Sequence, residues 1–370
     1  MKITDCEVIP YRIPYRETHT IATLTLKALD NVIVILRTDE GIEGVGEAVS
    51  EPKWNSTVRE AHEEVLRRYL GPAIIGMDPF MIPQIWQKMN KVVNGHLSAK
   101  AAIDIALYDL VGKALGVPVW KYLGGARTEI TVEGPGFGIG FMEPKAAADF
   151  ALKATSQGTR ELEIKGGHPA GWRHDLEVVR AVREACGPSV SMKIDVTEAY
   201  TFKTAMTALP ALAEAGVDWV EQPLPQHQLE DLARLRNSVP VRIILEESIG
   251  HPADILRIAQ LGAADAIHLK LPMLGGITMC RQIEAICRAA GIGVQPGSST
   301  PSGIGLAAVH QFAGSVWELV RGCHGSPLAR TVDDMVVNPV SAFAAAITLT
   351  DRPGLGIEVD WENVKRYRVQ

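Results

Sequence analysis

The sequence predicts an α/β protein built on a parallel barrel, with a smaller α+β domain placed before it. The first reason is a run of five short apolar segments that each finish on a charged residue: ELEIK at Lys165, VSMKID at Asp195, DWVE at Glu221, VRIILE at Glu246 and AIHLK at Lys270. Helical patterns such as HDLEVVRAVREA and ADILRIAQLG lie between them, giving the roughly 25–30-residue spacing of a βα unit. The second reason is chemical. In a parallel barrel the C-terminal ends of all strands open on one face, so charged residues there read as a site and not as surface. Asp195, Glu221 and Glu246 in succession, bracketed by Lys165 and Lys270, read as a metal centre with a base on each flank. A hard cation such as Mg²⁺ takes carboxylate oxygens in octahedral geometry and keeps positions open for water or substrate.

Bulk properties are compatible with this. The 370 residues suffice for two domains, and 46% apolar residues can bury a large core. A formal charge of −6 without any Lys/Arg block argues against a nucleic-acid partner. No apolar run has the length of a signal peptide core or a bilayer span, so the expectation is a cytoplasmic protein with no membrane partner. Cys6, Cys186, Cys280, Cys287 and Cys323 are scattered and lack CxxC spacing, which reads as reduced thiols.

Taken in order, the first ~125 residues open with two β-rich stretches, KITDCEVIPYRIP and NVIVILRTDEGIEGVGEAV, turned by DEG and a Gly-rich segment. STVREAHEEVLRRYLGPAIIG, PFMIPQIWQKMN and SAKAAIDIALYDLVGKALG follow as helices, the last stopped by Gly116 and Pro118. The expected division is a capping domain over 1–127, a barrel over 128–322 and a C-terminal segment over 323–370. TVEGPGFG supplies the first barrel strand, GIGVQ the seventh and SVWELV, carrying Glu318, the eighth. The tail, ending GLGIEVDWENVKRY, reads as strand-like and is expected to pack back on the first domain.

Together, AKAAIDIALYDLVGKALGVPVWKYLGG, the acidic triad, the lysine of AIHLK and the GLGIEVD tail resemble the enolase superfamily. The resemblance is to the mandelate racemase and muconate lactonizing enzyme family, and more closely to its muconate-lactonizing subgroup. It implies a modified TIM barrel, (β/α)7β, closed at its mouth by the N-terminal α+β capping domain. It also implies one Mg²⁺, for which Mn²⁺ can substitute, holding a substrate carboxylate while a base removes the α-proton. Relatives are commonly homo-oligomers, dimers to octamers, so a homo-oligomer acting on a small-molecule carboxylate is expected.

Residue by residue, the resemblance makes Asp195, Glu221 (in EQP) and Glu246 the metal ligands, with Glu247 as neighbour where the subgroup carries Asp before Glu. Lys165 resembles the second lysine of a KxK motif and Lys270 the strand-six lysine opposite it, the two acid/base groups. A proton α to a carboxylate is far less acidic than any side chain, so metal charge must stabilise the dianion while a lysine takes the proton. Two lysines on opposite faces permit racemisation or epimerisation; one suffices for cycloisomerisation or dehydration. The chain departs from the motif at Glu163, which stands where the first lysine would be. It shares a strand face with Lys165 and should raise that lysine's pKa. His268, or Lys193, is its candidate barrel partner.

Strand seven offers no histidine in GIGVQPGSSTPSG, which weighs against mandelate-type chemistry; Ser298, Ser299 and Thr300 read either as contacts to the distal substrate or as loop-solubilising groups. VWELV lacks the Asp-x-Asp pair of dipeptide epimerases, and Glu318 sits where muconate-type enzymes carry a glutamate near the site. The cap loops hold Tyr15, Arg16, His19, Lys53 and Trp54, of which Tyr15, His19 and Trp54 are the substrate-binding candidates. The leading expectation is thus a muconate cycloisomerase-like isomerase or lyase. The alternatives are an amino-acid racemase, epimerase or dehydratase of proline, hydroxyproline or N-acylamino acid type, and a non-catalytic carboxylate-binding barrel.

Overall fold

The computed structural model describes residues 1–53 and 57–369. The chain opens with a three-stranded antiparallel sheet of β1 (Ile3–Thr20), β2 (Thr25–Thr38) and β3 (Glu43–Ala48). Helices α1 (Arg59–Val65) and α2 (Gly71–Ile74), joined by a π turn at Leu66–Leu70, are followed by α3 (Ile82–Val92), α4 (Leu97–Leu115) and the short α5 (Val119–Tyr122). Helix α4 is buried on nearly every side from Ser98 to Gly112, as a helix apolar all round must be. It lies so close to β3 that a Cβ on Gly46 would overlap the carbonyl oxygen of Ala102. Glycine there is what permits the contact.

The barrel begins at β4 (Glu129–Ile139) and alternates with helices: α6 (Pro144–Ser156), β5 (Glu161–Lys165), α7 (Trp172–Cys186), β6 (Ser191–Asp195), α8 (Phe202–Glu214), β7 (Trp219–Glu221) and α9 (Leu229–Arg236). It continues through β8 (Arg242–Leu245), α10 (Pro252–Leu261), β9 (Ala266–Lys270), α11 (Ile277–Ala289), β10 (Gly293–Gly297), α12 (Gly303–Ala313) and β11 (Cys323–His324). Strands β4 to β10 pair in parallel with their sequence neighbours, and β11 closes on β4. Eight strands and seven helices make the (β/α)7β arrangement. Helices such as α7 bury Leu176, Val179 and Val182 against the strands and expose their polar face.

The eighth strand differs from expectation. Residues 315–320 make only an isolated bridge, Leu319 to Val294, and the strand is Cys323–His324. Val294 lies near the start of β10, so this bridge sits toward the end of the barrel away from the mouth. The tail also differs. A short strand, β12 (Ala346–Thr348), pairs antiparallel with β4 of the barrel, and DWENVKRY forms helix α13 (Trp361–Tyr367), not a strand. Asp360 initiates it by accepting from the Asn363 amide at 3.0 Å, as a capping residue does. The segment after α13 then meets β1, where the Val369 amide donates to the Pro10 carbonyl at 3.0 Å.

Cap and barrel are joined by buried polar groups. Glu47 of β3 accepts from the Asn31 amide at 2.9 Å and from Ser302 Oγ at 2.8 Å and the Gly305 amide at 2.9 Å, both at the start of α12. Asp104 of α4 accepts from Trp86 Nε1 at 2.6 Å and Thr278 Oγ1 at 2.5 Å, tying α3 and α4 to α11. No helix among the described residues is long and apolar enough to cross a membrane.

Candidate active site

The site is a stack of charged layers inside the barrel, assembled because alternate residues of each strand face inward. In the deepest layer Lys193 of β6, fully buried, lies 2.9 Å from Glu133 of β4, 3.0 Å from Glu163 of β5 and 2.5 Å from Glu221 of β7. Arg321 Nε donates to Glu133 at 2.8 Å, and Gln295 bridges Glu133 and the Gly322 carbonyl at 2.9 Å each. Buried charges persist only when paired and hydrogen-bonded, and here each acid meets a cation. Although burial pushes the Glu163 carboxyl up, Lys165 and Lys193 pull it well below the usual range.

One layer higher, His268 Nδ1 lies 2.6 Å from Glu221 Oε1. Burial lowers that ring to about 3 against the pull of Glu221, so it is neutral and donates Nδ1–H. A Cβ on Gly297 would overlap the His268 ring, so glycine in β10 makes room for it. His268 packs edge-on against His324 with centroids 4.8 Å apart, and His324 Nε2 is 3.4 Å from Glu163. The glycine-rich β4 has a similar explanation. Its ladder is broken between Gly134 and Ile139, and Gly138, at φ 83°, would place a Cβ 2.7 Å from Glu163 Oε1.

At the mouth the two lysines each hold a carboxylate. Lys165 Nζ donates to Asp195 Oδ2 at 2.7 Å and also pairs with Glu163; Lys270 pairs with Glu246. Burial pulls Lys165 down, but Asp195, Glu163 and Glu221 overcome it and hold its pKa well above the ordinary value, as expected from the carboxylate at 163. Lys270 is likewise raised, by Glu246, Glu247 and Glu221 against its burial. Backbone strain surrounds these strand ends. Thr197 has φ 48°, rare for a β-branched residue, and its amide and hydroxyl both donate to Asp195 Oδ1 at 2.9 Å. Gln222, φ 34°, accepts from the Glu246 amide at 3.0 Å, so the EQP segment aims the next strand's acid. Asp175 of α7 fixes the loop after Lys165 by accepting from the Gly167 amide at 3.0 Å and Tyr200 at 2.6 Å.

Glu221, Glu246 and His268 offer donor atoms within 4.8 Å of one another, while Asp195 is turned to Lys165 and Thr197. Burial pushes Glu246 up to about 8 against the pull of Lys270, with Glu221 and Asp195 adding to the rise. Glu247 is half-buried as a residue, yet both carboxylate oxygens are enclosed without a hydrogen-bond partner among the described residues, and its pKa is raised by burial and by Glu246. Such crowding of buried oxygen donors is what a hard dication relieves.

The cap supplies the roof. Tyr15 and His19 are buried, and the Tyr15 hydroxyl has no hydrogen-bond partner among the described residues. His19, Ser298 and Thr300 line a small pocket together with Lys165, Lys270 and His324. Beside it a cavity of about 1060 Å³ opens past Glu246, Glu247 and Lys270 to Lys53 and Arg257. Of the residues singled out from sequence, Lys165, Lys270, Asp195, Glu221, Glu246, Glu163, Glu247, Tyr15, His19, Ser298 and Thr300 thus converge, and Trp54 lies outside the described residues. Glu318 does not converge: it is exposed, its carbonyl accepting from the Val294 amide at 3.3 Å toward the far end of the barrel. Its place at the site is taken by His324, six residues on, which lines the small pocket with both lysines. Glu51 was also missed as a site residue. It is buried, bonded through Oε1 to Thr300 Oγ1, and close enough to both lysines to feel their charge.

Comparison with known proteins gives the same frame. Residues 3–124 match the family described as mandelate racemase / muconate lactonizing enzyme, N-terminal domain, and residues 146–364 match enolase C-terminal domain-like. An N-succinyl-L-Arg/Lys racemase of Bacillus cereus is 29% identical over 100% of this chain and 98% of its own; its crystal structure superposes with a TM-score of 0.94, 28% identity and coverage of 100% and 99%. A hydrophobic dipeptide epimerase of Enterococcus faecalis is 34% identical over 87% of this chain and 89% of its own. Its structure with Mg and L-Leu-L-Tyr gives a TM-score of 0.92 at 32% identity, covering 97% and 100%. Muconate cycloisomerase 1 of Rhodococcus opacus is 31% identical over 99% and 98%. All are enzymes, which sets aside the non-catalytic barrel. The chain therefore belongs to the mandelate racemase/muconate lactonizing enzyme family and is an enzyme of the enolase superfamily.

Proposed function

We propose that the enzyme moves a proton at the α-carbon of a small carboxylate, with Lys165 and Lys270 as the two acid/base groups and racemisation or epimerisation as the outcome. The observation that carries this reading is that the two lysines line one small pocket while each pairs with a different acid, Asp195 and Glu246. A substrate α-carbon between them has a proton donor or acceptor available on either face. Asp195, Glu221 and Glu246 would hold a divalent metal, Mg²⁺ being the natural choice for an all-carboxylate set, and a structural relative carries Mg. Such an ion supplies positive charge against which a substrate carboxylate can take on further negative charge.

The chain's own residues do the rest. Asp195 and Glu246, once turned to a dication, hold the lysine protons less firmly, which brings the amines toward the range where a general base works. His268, neutral and donating to Glu221, keeps that carboxylate oriented from behind. His19, with Ile21 and Leu26, closes the pocket from the cap and excludes water. A second reading, one-base cycloisomerisation, is favoured by the 31% identity to a muconate cycloisomerase, and there one lysine alone would do the chemistry.

The test is proton NMR in D₂O with Mg²⁺, following α-hydrogen exchange in muconates, N-acylamino acids and proline derivatives. Exchange from both enantiomers, each abolished by a different one of Lys165→Ala and Lys270→Ala, is the expected result. Turnover that survives loss of one lysine establishes the one-base reading, and absence of lysine-dependent exchange with every acid rejects both.

A further inference from the structure

The proposed two-lysine chemistry, on which this inference rests, needs a substrate α-carbon within reach of both amines, and the space between them is too small to hold one. The pocket lined by Lys165, Lys270, Ser298, Ser299 and His324 has a volume of about 20 Å³, room for about one water. The adjoining cavity of about 1060 Å³ is lined by Lys270, Glu246 and Glu247 but, among the described residues, not by Lys165. Lys270 faces both spaces, so the wall that divides them lies beside its side chain. A substrate that touches both lysines has to move that wall.

Met273 lines the large cavity, Ser299 lines the small pocket, and the Ser299 hydroxyl donates to Met273 Sδ. The methionine stands beside the lysine because the turn after β9 folds back on it, the Met273 amide donating to the Lys270 carbonyl at 2.8 Å. Other walls of the small pocket are pinned. Ser298 Oγ lies 3.3 Å from His324 Nδ1, Thr300 Oγ1 donates to Glu51 Oε1, and Ser299 is held by the same carboxylate. His19 is wedged against β4, where a Cβ on Gly140 would lie 2.8 Å from its ring. Met273 differs from all of these: it is half-buried, unbranched, rich in rotatable bonds and tied through a thioether, a weak acceptor. Swinging it aside joins the two spaces at the loss of one weak hydrogen bond. We propose that Met273 is the gate between them and the residue that sets how bulky a group the substrate carries on its α-carbon. The α-carbon then sits between the lysines while its substituent runs out past the displaced thioether into the large cavity.

The test titrates acetate, cyclopentanecarboxylate and phenylacetate calorimetrically into the Mg²⁺-loaded enzyme. Met273→Ala removes the gate and the cost of displacing it, so the two bulky acids should bind about tenfold tighter while acetate changes by less than about twofold. Met273→Leu, of similar volume but branched, keeps the wall in place and should bring no gain. A second readout does not depend on the alanine variant folding. In wild-type enzyme labelled at its methionine methyls, the Met273 resonance, assigned by its absence from Met273→Leu, should shift when either bulky acid is added and stay in place with acetate. An equal gain for all three acids, a gain in Met273→Leu, no gain or no binding of the bulky acids in Met273→Ala, or a Met273 resonance that never moves overturns the inference. Any of those outcomes beside α-exchange that depends on both lysines leaves the proton chemistry standing and moves the opening to the cap hairpin of His19 to Leu26. The tenfold gain without lysine-dependent exchange strikes the α-proton reading while the gate stands.

Discussion

Replacing Glu163 by Gln tests the claim that this carboxylate holds the proton on Lys165. Glu163 is 1% exposed and pairs with Lys165 and Lys193, while Asp195 is the other partner of Lys165. At an effective dielectric near 20, a unit charge about 4 Å away contributes about 4 kcal/mol, or roughly 3 pKa units. With Asp195 retained and the amide still able to accept a hydrogen bond, Lys165 should fall by roughly 2 to 3 units. Lys193 keeps Glu133 at 2.9 Å and Glu221 at 2.5 Å, so the interior stays paired and the fold should survive. The acid limb of the pH–rate profile for α-exchange from the Lys165 side should move down by that amount. Below the limb the free-base fraction rises about 100-fold for 2 units; weaker intrinsic basicity takes back about half the logarithm, leaving roughly tenfold faster exchange. The measurement is α-hydrogen exchange by NMR from pH 6 to 10 with Mg²⁺, in wild type and Glu163→Gln. An acid limb that stays in place or moves up would refute the reasoning, because Lys165 would then owe its proton to Asp195 alone.

Three further outcomes are expected. In the metal-free protein, burial raises Glu246 to about 8 and both Glu51 and Asp334 to about 7. A raised folded-state pKa contributes stability that is lost as pH rises through it, so the melting temperature should fall between pH 6.5 and 8.5, each group adding up to ~1.4 kcal/mol per pH unit. A melting temperature that climbs across that window contradicts the assignment. Mg²⁺ at about 100 times its Kd should stabilise the wild type by about 2.7 kcal/mol in calorimetry, and Glu221→Gln should lose most of that gain. Asp104→Asn turns an amide N–H₂ toward the Trp86 and Thr278 donors and should cost about 1–3 kcal/mol in urea unfolding; a neutral effect would mean that this joint between cap and barrel contributes little.

The barrel and its acids were legible in the sequence because they obey short-range rules. Strand ends recur at βα spacing, period two puts Glu163 with Lys165 and His268 with Lys270, and helix α4 is marked by its stop at Gly116 and Pro118. The tail, read as strand-like, instead ends in helix α13, started by the Asp360 cap. What the tertiary structure alone decided is which residues meet across distance. His324 replaced Glu318 at the site because closure on β4 occurs at Cys323–His324, and the register of a barrel's last strand is set by the strands on both sides of it, not by its own residues. Glu51 came to the lysines because Glu47, four residues earlier, docks the cap on the start of α12. The crowding of acids at the mouth is of the same kind: each is ordinary in sequence, and only the fold buries them side by side.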